Sequence, residues 1–418
     1  MDRTILAFTG GLQSSVCLHW LCDHRGSRVK VLIAELGQPA PARGLAEQAL
    51  RLGAEGAHIE DLREELCRDY AFRALKAGAV YGGRYLLSSA LARPPIAAAL
   101  TRLARDEGYS CVAHGAGARS NDLARFEASI AVLAPELTVI GPGQIPPLRS
   151  RRRVVEYARA HSLISEDDAL SSLNIDSNLW GTCIAADPKT DTWEPLPEHV
   201  YSMTVHPGQA PGEPEQVVLE FEKGIPVAAD GQRLAPHDLV AQMNRRAGRH
   251  GIGRVEMIQD RLVGIKAREV YEAPGATTLM EAHTALERLT LDQETLRAKA
   301  EVAWRYAELV YAGGWFTQFR KALDAFVDVT QEYVSGEVKL QLLRGRVSVL
   351  GVRSPWSLYD ADLVVRDDEM ELADRVKGEI WSMRALPYRI TAMLRGKGSG
   401  PGQGRKPFGP ELKAEGQS

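Results

Sequence analysis

Short apolar runs punctuate the first 160 residues: ILAF (5–8), VKVLIAE (29–35), AHIE (57–60), CVAH (111–114) and LTVI (137–140). Between and after them lie stretches of helical periodicity, near 14–24, 42–52, 63–76, 90–107, 122–132 and 151–161. Runs of this length read as strands buried on both faces. Their alternation with helices predicts an α/β fold built on a doubly wound parallel sheet. Residues 162–215 lack a clear period and carry Pro195, Pro197, Pro207, Pro211 and Pro214 toward their end, which predicts a connection with little regular structure.

The pattern then changes to α+β. VVLEFEKGIPV (217–227) reads as a hairpin turning at Gly224, and VKLQLLRGRVSVLGV (338–352) as a hairpin turning at Arg344-Gly345. RVEMI and RLVGI flank Gln259-Asp260, which reads as a two-residue turn. Helices are predicted over 239–251, 277–311, 316–334 and 368–395. The remaining C-terminal stretch is rich in Gly and Pro and reads as disordered.

Composition narrows the classes. A chain of 418 residues suits two or three domains, and 44% hydrophobic with 25% charged residues is ordinary globular composition. Lys+Arg 51 against Asp+Glu 54 leaves a net charge of -3, so no overall basic field exists to hold nucleic acid. No apolar stretch is long enough to span a membrane. The start, MDRTILAFTGG, lacks a basic n-region, which argues against a secretory leader. Cys17, Cys22, Cys67, Cys111 and Cys183 form no CxxC pair, which reads as reduced thiols in the cytoplasm, and no protein-held metal is expected.

The candidate chemistry begins after the first strand, at Phe8-Thr9-Gly10-Gly11-Leu12-Gln13-Ser14-Ser15. Glycines before a helix start let backbone N–H groups and hydroxyls converge on an anion, aided by the helix dipole. The residues of this loop alone better suit a plain glycine turn with a serine cap. The loop is neither GxxxxGK[ST] nor GxGxxG. It resembles the SGGxDS loop of the N-type ATP pyrophosphatases.

Further segments extend the resemblance to one family of that group, the argininosuccinate synthases. They are IAELGQ (33–38), YLLSSALARPPIA (85–97), HGAGARSNDLARFE (114–127), NIDSNLWG (174–181), EFEKGIPV (220–227), HGIGRVEMIQDRLVGIKAREVYEAPG (250–275) and SPWSLYD (354–360). The resemblance spans about residues 4–365. It implies a nucleotide-binding domain at 1–165, a synthetase domain at 166–365, an oligomerisation helix at 366–395 and a tail at 396–418. It also implies a ligase using ATP and Mg²⁺ that adenylates a ureido oxygen of citrulline. The amino group of aspartate then attacks the activated carbon, releasing AMP. The implied partners are small amino-acid-like substrates and three further copies of the chain, with Trp381, Met383, Leu386 and Ile390 supplying apolar contacts.

By motif, Ala7, Phe8, Thr9, Gly10, Gly11, Gln13, Ser14, Ser15, Ala34 and Gly115 would surround the nucleotide. Tyr85, Ala90, Asn121, Arg125, Asn174, Cys183, Gln259 and Tyr271 match citrulline positions. Gly117, Asn121 and Asp122 match aspartate positions. Asn121, Asp122 and Arg125 carry the catalytic expectation. His114 is either a polar contact beside Gly115 or a hydrogen-bonded structural histidine.

Several matched positions depart from the family. Gln13 stands for the loop aspartate, and a neutral amide is a weaker ligand for Mg²⁺. Gly117 stands for a threonine; Ala90, Asn174 and Cys183 stand for serines; Gln259 stands for a glutamate. These changes suggest an altered substrate, one lacking or masking the α-ammonium of citrulline. Ordinary argininosuccinate synthesis is the alternative, and a non-catalytic nucleotide-binding relative the third reading. Cys183 has no histidine partner in sequence and is not read as a nucleophile. Arg151-Arg152-Arg153 reads as a solvated helix start or a distal phosphate contact. Trp304, Tyr306 and Tyr311 read as core or subunit interface.

Overall fold

The computed structural model describes residues 3–118, 120–163, 174–186, 191–360 and 385–398. The N-terminal part alternates β1 (Arg3–Ala7), α1 (Leu12–Asp23), β2 (Arg28–Glu35), α2 (Ala42–Arg51) and β3 (Gly56–Asp61). A helical segment follows: α3 (Arg63–Glu65), a π-helical turn (Leu66–Ala71) and α4 (Phe72–Ala77). Then come α5 (Ser88–Asp106), β4 (Cys111–His114), α6 (Asn121–Leu133), β5 (Thr138–Ile140) and α7 (Arg151–Ala160). The five strands are parallel in the order β3-β2-β1-β4-β5. Successive residues of a strand point to opposite faces. Thus Ile5, Ala7 and Leu32 join one core, while Leu6, Phe8, Val31 and Ile33 join the other. The apolar runs encode this two-faced burial, and the expected doubly wound sheet forms.

The strand order reverses between β1 and β4. Loops after these strands therefore diverge and leave a crevice at the carboxyl ends, where ligands of open α/β sheets gather. The glycine loop follows β1, and Gly115–Gly117 follow β4.

Residues 174–185 are not irregular. β6 (Asn174–Asn178) and β7 (Gly181–Ala185) form a hairpin that joins β11 (Arg254–Asp260) and β12 (Lys266–Glu272) in a sheet ordered β11-β12-β7-β6. The sequence NIDSN hides its strand because polar residues occupy both faces. Its anchors are tertiary: the buried Trp180 indole donates to the Leu86 carbonyl at 2.9 Å, and Asn178 Nδ2 donates to the Ser88 carbonyl at 3.1 Å. Gln259-Asp260 is not the turn either. Both belong to β11, and the chain reverses over Arg261–Ile265, where Gly264 takes φ 77.

The other hairpins form as expected. β8 (Glu215–Glu222), β9 (Ile225–Ala229), β10 (Gln232–Arg233), β13 (Gly336–Leu343) and β14 (Arg346–Arg353) make an antiparallel sheet ordered β10-β9-β8-β13-β14. α8 (Pro236–Arg249) follows β10. The helical block at 277–311 is two helices, α9 (Pro274–Thr290) and α10 (Gln293–Tyr311). Asp292 stops the run by capping α10, accepting from the Thr295 N–H at 3.0 Å. α11 (Gln318–Thr330) and α12 (Leu386–Gly398) complete the described chain. Trp381, Met383 and most of the expected helix before 385 lie outside the described residues, as does the tail beyond 398. No helix among the described residues is long and apolar enough to cross a membrane.

Candidate active site

The glycine loop hands β1 to α1 without a side-chain cap: Gly11 is the N-cap and forms no side-chain bond. The first N–H groups of α1 therefore lack intrahelical partners, the arrangement that receives an anion. Hydroxyls line the same turn. Thr9 Oγ1 lies 3.2 Å from Ser14 Oγ, and Ser14 Oγ donates to the Gly11 carbonyl at 3.0 Å. Gln48 of α2 braces the loop from behind, its Nε2 donating to the Gly10 carbonyl at 3.1 Å. Gly10 holds φ 73, with the Leu45 side chain where a Cβ would sit. Any other residue would be strained at this φ and would have to displace the Leu45 side chain.

The loop after β4 closes on the same place. A Cβ at Gly115 would lie 2.9 Å from the Cα and N of Ser14, so glycine permits backbone to touch backbone. A Cβ at Gly117 would lie 3.0 Å from Gln13 Nε2. The two departures at Gln13 and Gly117 are thus one feature: the longer amide occupies space that a side chain at 117 would need. His114 resolves as a structural residue. Its ring is fully buried, stacks on Phe126 at 5.1 Å, and accepts from the Ala116 N–H at 3.4 Å.

Burial lowers the His114 pKa from 6.5 to about 4, outweighing attraction to Asp122. Because the folded value is depressed, stability is full above pH 6.5 and is lost as pH falls toward 4. The unfolding free energy should drop by about 2–3 kcal/mol between about pH 7.5 and 4.5 from this group alone. Denaturant titrations of wild type and His114→Gln at both pH values check this: the variant, neutral throughout, should lack that increment. Equal losses in both proteins would remove His114 as its source.

Helix α6 starts beside Gly117. Ser120 caps it, accepting from the Asp122 N–H at 3.2 Å. Asp122 accepts from Arg93 Nη2 at 2.8 Å and from Arg125 Nη1 at 2.9 Å. Burial pushes its carboxyl up, but the two guanidinium groups prevail and hold it at about 2. Asp122 is therefore a fixed anion that orients two arginines, and it is not a proton acceptor. Arg93 also donates to Asp176 Oδ2 at 2.5 Å, tying α5 and α6 to β6. Asn121 is held at both ends: Nδ2 donates to the Tyr311 hydroxyl at 2.7 Å, and Oδ1 accepts from the Leu262 N–H at 2.9 Å.

Register decides what else faces this helix start. Directly paired residues of an antiparallel sheet share a face. Asp176 pairs with Cys183, Cys183 with Tyr271, Ala185 with Glu269 and Gln259 with Ala267. Cys183, Gln259, Glu269 and Tyr271 thus lie on one face with Asp176. Tyr271 stacks on Tyr85 at 3.9 Å, and Gln259 Nε2 donates to its hydroxyl at 2.6 Å. Gln259 Oε1 is buried without a partner. Cys183 Sγ donates to Glu269 Oε2 at 3.7 Å, and Arg261 donates to Glu269 Oε1 at 3.2 Å. Burial raises the Glu269 carboxyl and the Cys183 thiol, so the thiol stays protonated and does not serve as a nucleophile. Ala90 is buried on α5, next to Ser89, whose N–H donates to the Tyr85 hydroxyl at 2.9 Å. Asn174 begins β6 and is exposed.

The structure therefore gathers the loop residues, Gly115, Gly117, Asn121, Asp122 and Arg125 at the crevice, with Tyr85, Cys183, Gln259 and Tyr271 behind them. Ala7 and Ala34 end or nearly end neighbouring strands, and the Phe8 N–H donates to the Leu32 carbonyl at 2.9 Å. Arg93, Asp176, Glu269, Tyr81 and Tyr311 escaped the sequence reading. Tyr311 is more than core: it stacks on Tyr81 at 3.7 Å and its hydroxyl donates to the Asp260 carbonyl at 2.9 Å. The two arginine-free signals were available only as motif neighbours, Asp176 within NIDSNLWG and Glu269 within KAREVYE. Arg151–Arg153 are exposed at the start of α7, as a solvated helix start should be. Trp304 is half exposed, whereas Tyr306 is buried.

Two family models match the chain: the arginosuccinate synthase N-terminal HUP domain over residues 3–164 and the arginosuccinate synthase C-terminal domain over residues 173–391. An argininosuccinate synthase of Rubrobacter xylanophilus is 43% identical over 393 residues, covering 94% of this chain and 95% of that protein. One from Pelotomaculum thermopropionicum is 43% identical over 399 residues, covering 95% and 99%. One from Desulfitobacterium hafniense is 42% identical over 402 residues, covering 95% and 99%. With both halves matched and relatives aligned nearly end to end, the chain belongs to the argininosuccinate synthase family and is a carbon–nitrogen ligase of that type.

Proposed function

We propose that this ligase condenses citrulline with aspartate, at the expense of ATP, to give argininosuccinate, AMP and pyrophosphate. The carrying observation is the near-complete alignment with argininosuccinate synthases of a chain whose Tyr85, Asn121, Asp122, Arg125 and Tyr271 lie around one crevice. The expectation of an altered substrate rested on Gln259 together with Ala90, Asn174 and Cys183. Two features weaken it. The relatives give no sign of a different substrate, and Glu269, which Arg261 already holds through one oxygen, adds a buried carboxyl group to the same sheet face. An α-ammonium taken from water needs such a counter-charge.

In this reading the ureido oxygen attacks the α-phosphorus, the α–β bond breaks, and pyrophosphate leaves along the uncapped start of α1. The aspartate nitrogen then attacks the activated carbon, AMP departs with the ureido oxygen, and the nitrogen sheds its proton. Arg93 and Arg125, locked by Asp122, fix the reacting groups so that attack is effectively unimolecular. The loop offers hydroxyls, N–H groups and the Gln13 amide but no carboxylate. Mg²⁺ therefore fits only as an ion held by the nucleotide phosphates and water, and no step is assigned to the protein through it.

Steady-state kinetics with citrulline, aspartate and ATP test the proposal. AMP and pyrophosphate should appear with a micromolar citrulline KM. Turnover confined to electrophiles without an α-ammonium would restore the altered-substrate reading. ADP and phosphate as products would overturn the reaction type.

The Gln13–Gly117 contact carries its own expectation. Gly117→Thr alone forces the Gln13 amide aside and should lower kcat/KM for aspartate. Gln13→Asp made together with it removes the clash and should recover the loss. The coupling should be about threefold or more, since contacting residues are non-additive. A double-mutant cycle on aspartate kcat/KM reads it, and strict additivity would mean that the two positions act separately.

We also propose a homotetramer in a reducing compartment, the cytoplasm. Exposed Trp304 and Phe319 offer apolar surface for assembly, and all five cysteines are free.

A further inference from the structure

A cluster of ring nitrogens lies away from the crevice, where the far end of α1 meets the end of α7. His19 and His161 have ring centroids 4.8 Å apart, and Tyr157 stacks on His161 at 4.1 Å. His161 Nδ1 lies 2.9 Å from the Tyr157 carbonyl. A carbonyl only accepts, so Nδ1 carries the proton and Nε2 keeps the lone pair. His19 Nδ1 lies 2.9 Å from the Tyr157 hydroxyl, which also reaches His24 Nδ1 at 3.3 Å. In the tautomer whose His19 Nδ1 donates to this hydroxyl, Nε2 of His19 is the lone-pair nitrogen. Anchoring one nitrogen so that the other is free is how proteins prepare histidines for metal ligation. Asp23 lies on the same turn of α1. One ligand atom from each of His19, Asp23 and His161 lies within 4.8 Å of the other two.

We propose that His19, Asp23 and His161 bind one first-row transition-metal dication. Two imidazoles and one carboxylate suit Zn²⁺, Ni²⁺ or Co²⁺, whereas Mg²⁺ and Ca²⁺ take oxygen ligands. Ligand bonds of about 2.0–2.2 Å place donors ~3.4 Å apart on a tetrahedral ion, so the three side chains draw together on binding. Asp23 is exposed and exchanges its 3.1 Å contact with His24 for the ion. The two histidines are only partly buried, which leaves coordination positions for water. The bond would join the end of α1 to α7, two segments distant in sequence. Cys22, next to Asp23, is engaged elsewhere, 3.3 Å from the Gly53 carbonyl.

The test uses the full chain stripped with chelator and titrated calorimetrically with Zn²⁺ alone. One ion per chain should bind with Kd of about 10 µM or tighter. Asp23→Asn, at an exposed position that does not threaten folding, and His19→Asn should each raise Kd about tenfold or more. His58→Asn, remote from the cluster, should leave it unchanged. Zn²⁺ should raise the Tm of wild type and not that of Asp23→Asn. The Co²⁺ form should show nitrogen and oxygen ligand-field bands without a thiolate charge-transfer band. Absence of binding, wild-type affinity in either the Asp23 or the His19 variant, or a thiolate band would overturn the proposal.

Discussion

Asp122→Asn should destabilise the protein by about 3–5 kcal/mol, because it leaves a buried guanidinium without its counter-charge. Arg93 keeps Asp176, but among the described residues Arg125 ion-pairs only with Asp122; its other bond runs from Nε to the Tyr311 carbonyl at 3.0 Å. Both arginine side chains are nearly enclosed, so water cannot replace the lost partner cheaply. The activity should fall further than the stability. With Arg125 released and Arg93 held only by Asp176, substrate positioning degrades, and misplacement by about 1 Å costs ~100-fold in rate. Equilibrium unfolding and kcat/KM for aspartate, measured on the same preparation, separate the two losses. The sign with pH is fixed: the Asp122 carboxyl lies at about 2 when folded against 3.8 otherwise. Its contribution is therefore complete above 3.8 and disappears as pH falls through about 2. A change below about 1 kcal/mol with unaltered kinetics would show that the arginines are held by other groups.

Gly115→Ala should be as damaging to ATP use while sparing the fold. The added methyl would sit 2.9 Å from the Ser14 backbone, and backbone at the first turn of α1 cannot move aside as a flexible side chain can. The helix start must shift, carrying its uncapped N–H groups with it. Overpacking of this kind costs about 1–3 kcal/mol in stability. Displaced phosphate donors should cost ~100-fold in kcat/KM for ATP. Gly44→Ala is the control: on α2, with nothing within 4 Å of the added carbon, it should behave as wild type. Pyrophosphate exchange reads the adenylation half-reaction alone. Wild-type exchange in Gly115→Ala would remove this loop pair from the nucleotide site.

Much of the fold was legible from local signals. The buried parallel strands announce themselves because a strand covered on both faces must be apolar throughout. The hairpins at Gly224 and Arg344-Gly345 announce themselves through turn residues. The β6–β7 hairpin did not, since its polar residues are satisfied by α5 and by one another. The same masking misplaced Gln259: its polarity beside Asp260 imitates a turn, although it pairs with Ala267 inside β11. Asn174 matched a pocket position by motif, and its pairing with Ala185 puts it on the same sheet face as Asp176, yet it lies exposed because it is the first residue of the strand.

By itself, then, the sequence determined the alternating strands and helices of the first 160 residues, the glycine loop before the first helix, and the family to which these motifs belong. Tertiary structure alone decided which side chains meet. It placed the Gln13 amide against Gly117, joined Asp122 and Asp176 through Arg93, and set Glu269 beside Cys183. The reason is geometric. Side chains along a strand alternate with a period of two, so a single-residue slip would turn Cys183, Glu269 and Tyr271 to the opposite face. Register is fixed by long-range anchors such as Trp180 on the Leu86 carbonyl, and those contacts exist only once the chain has folded.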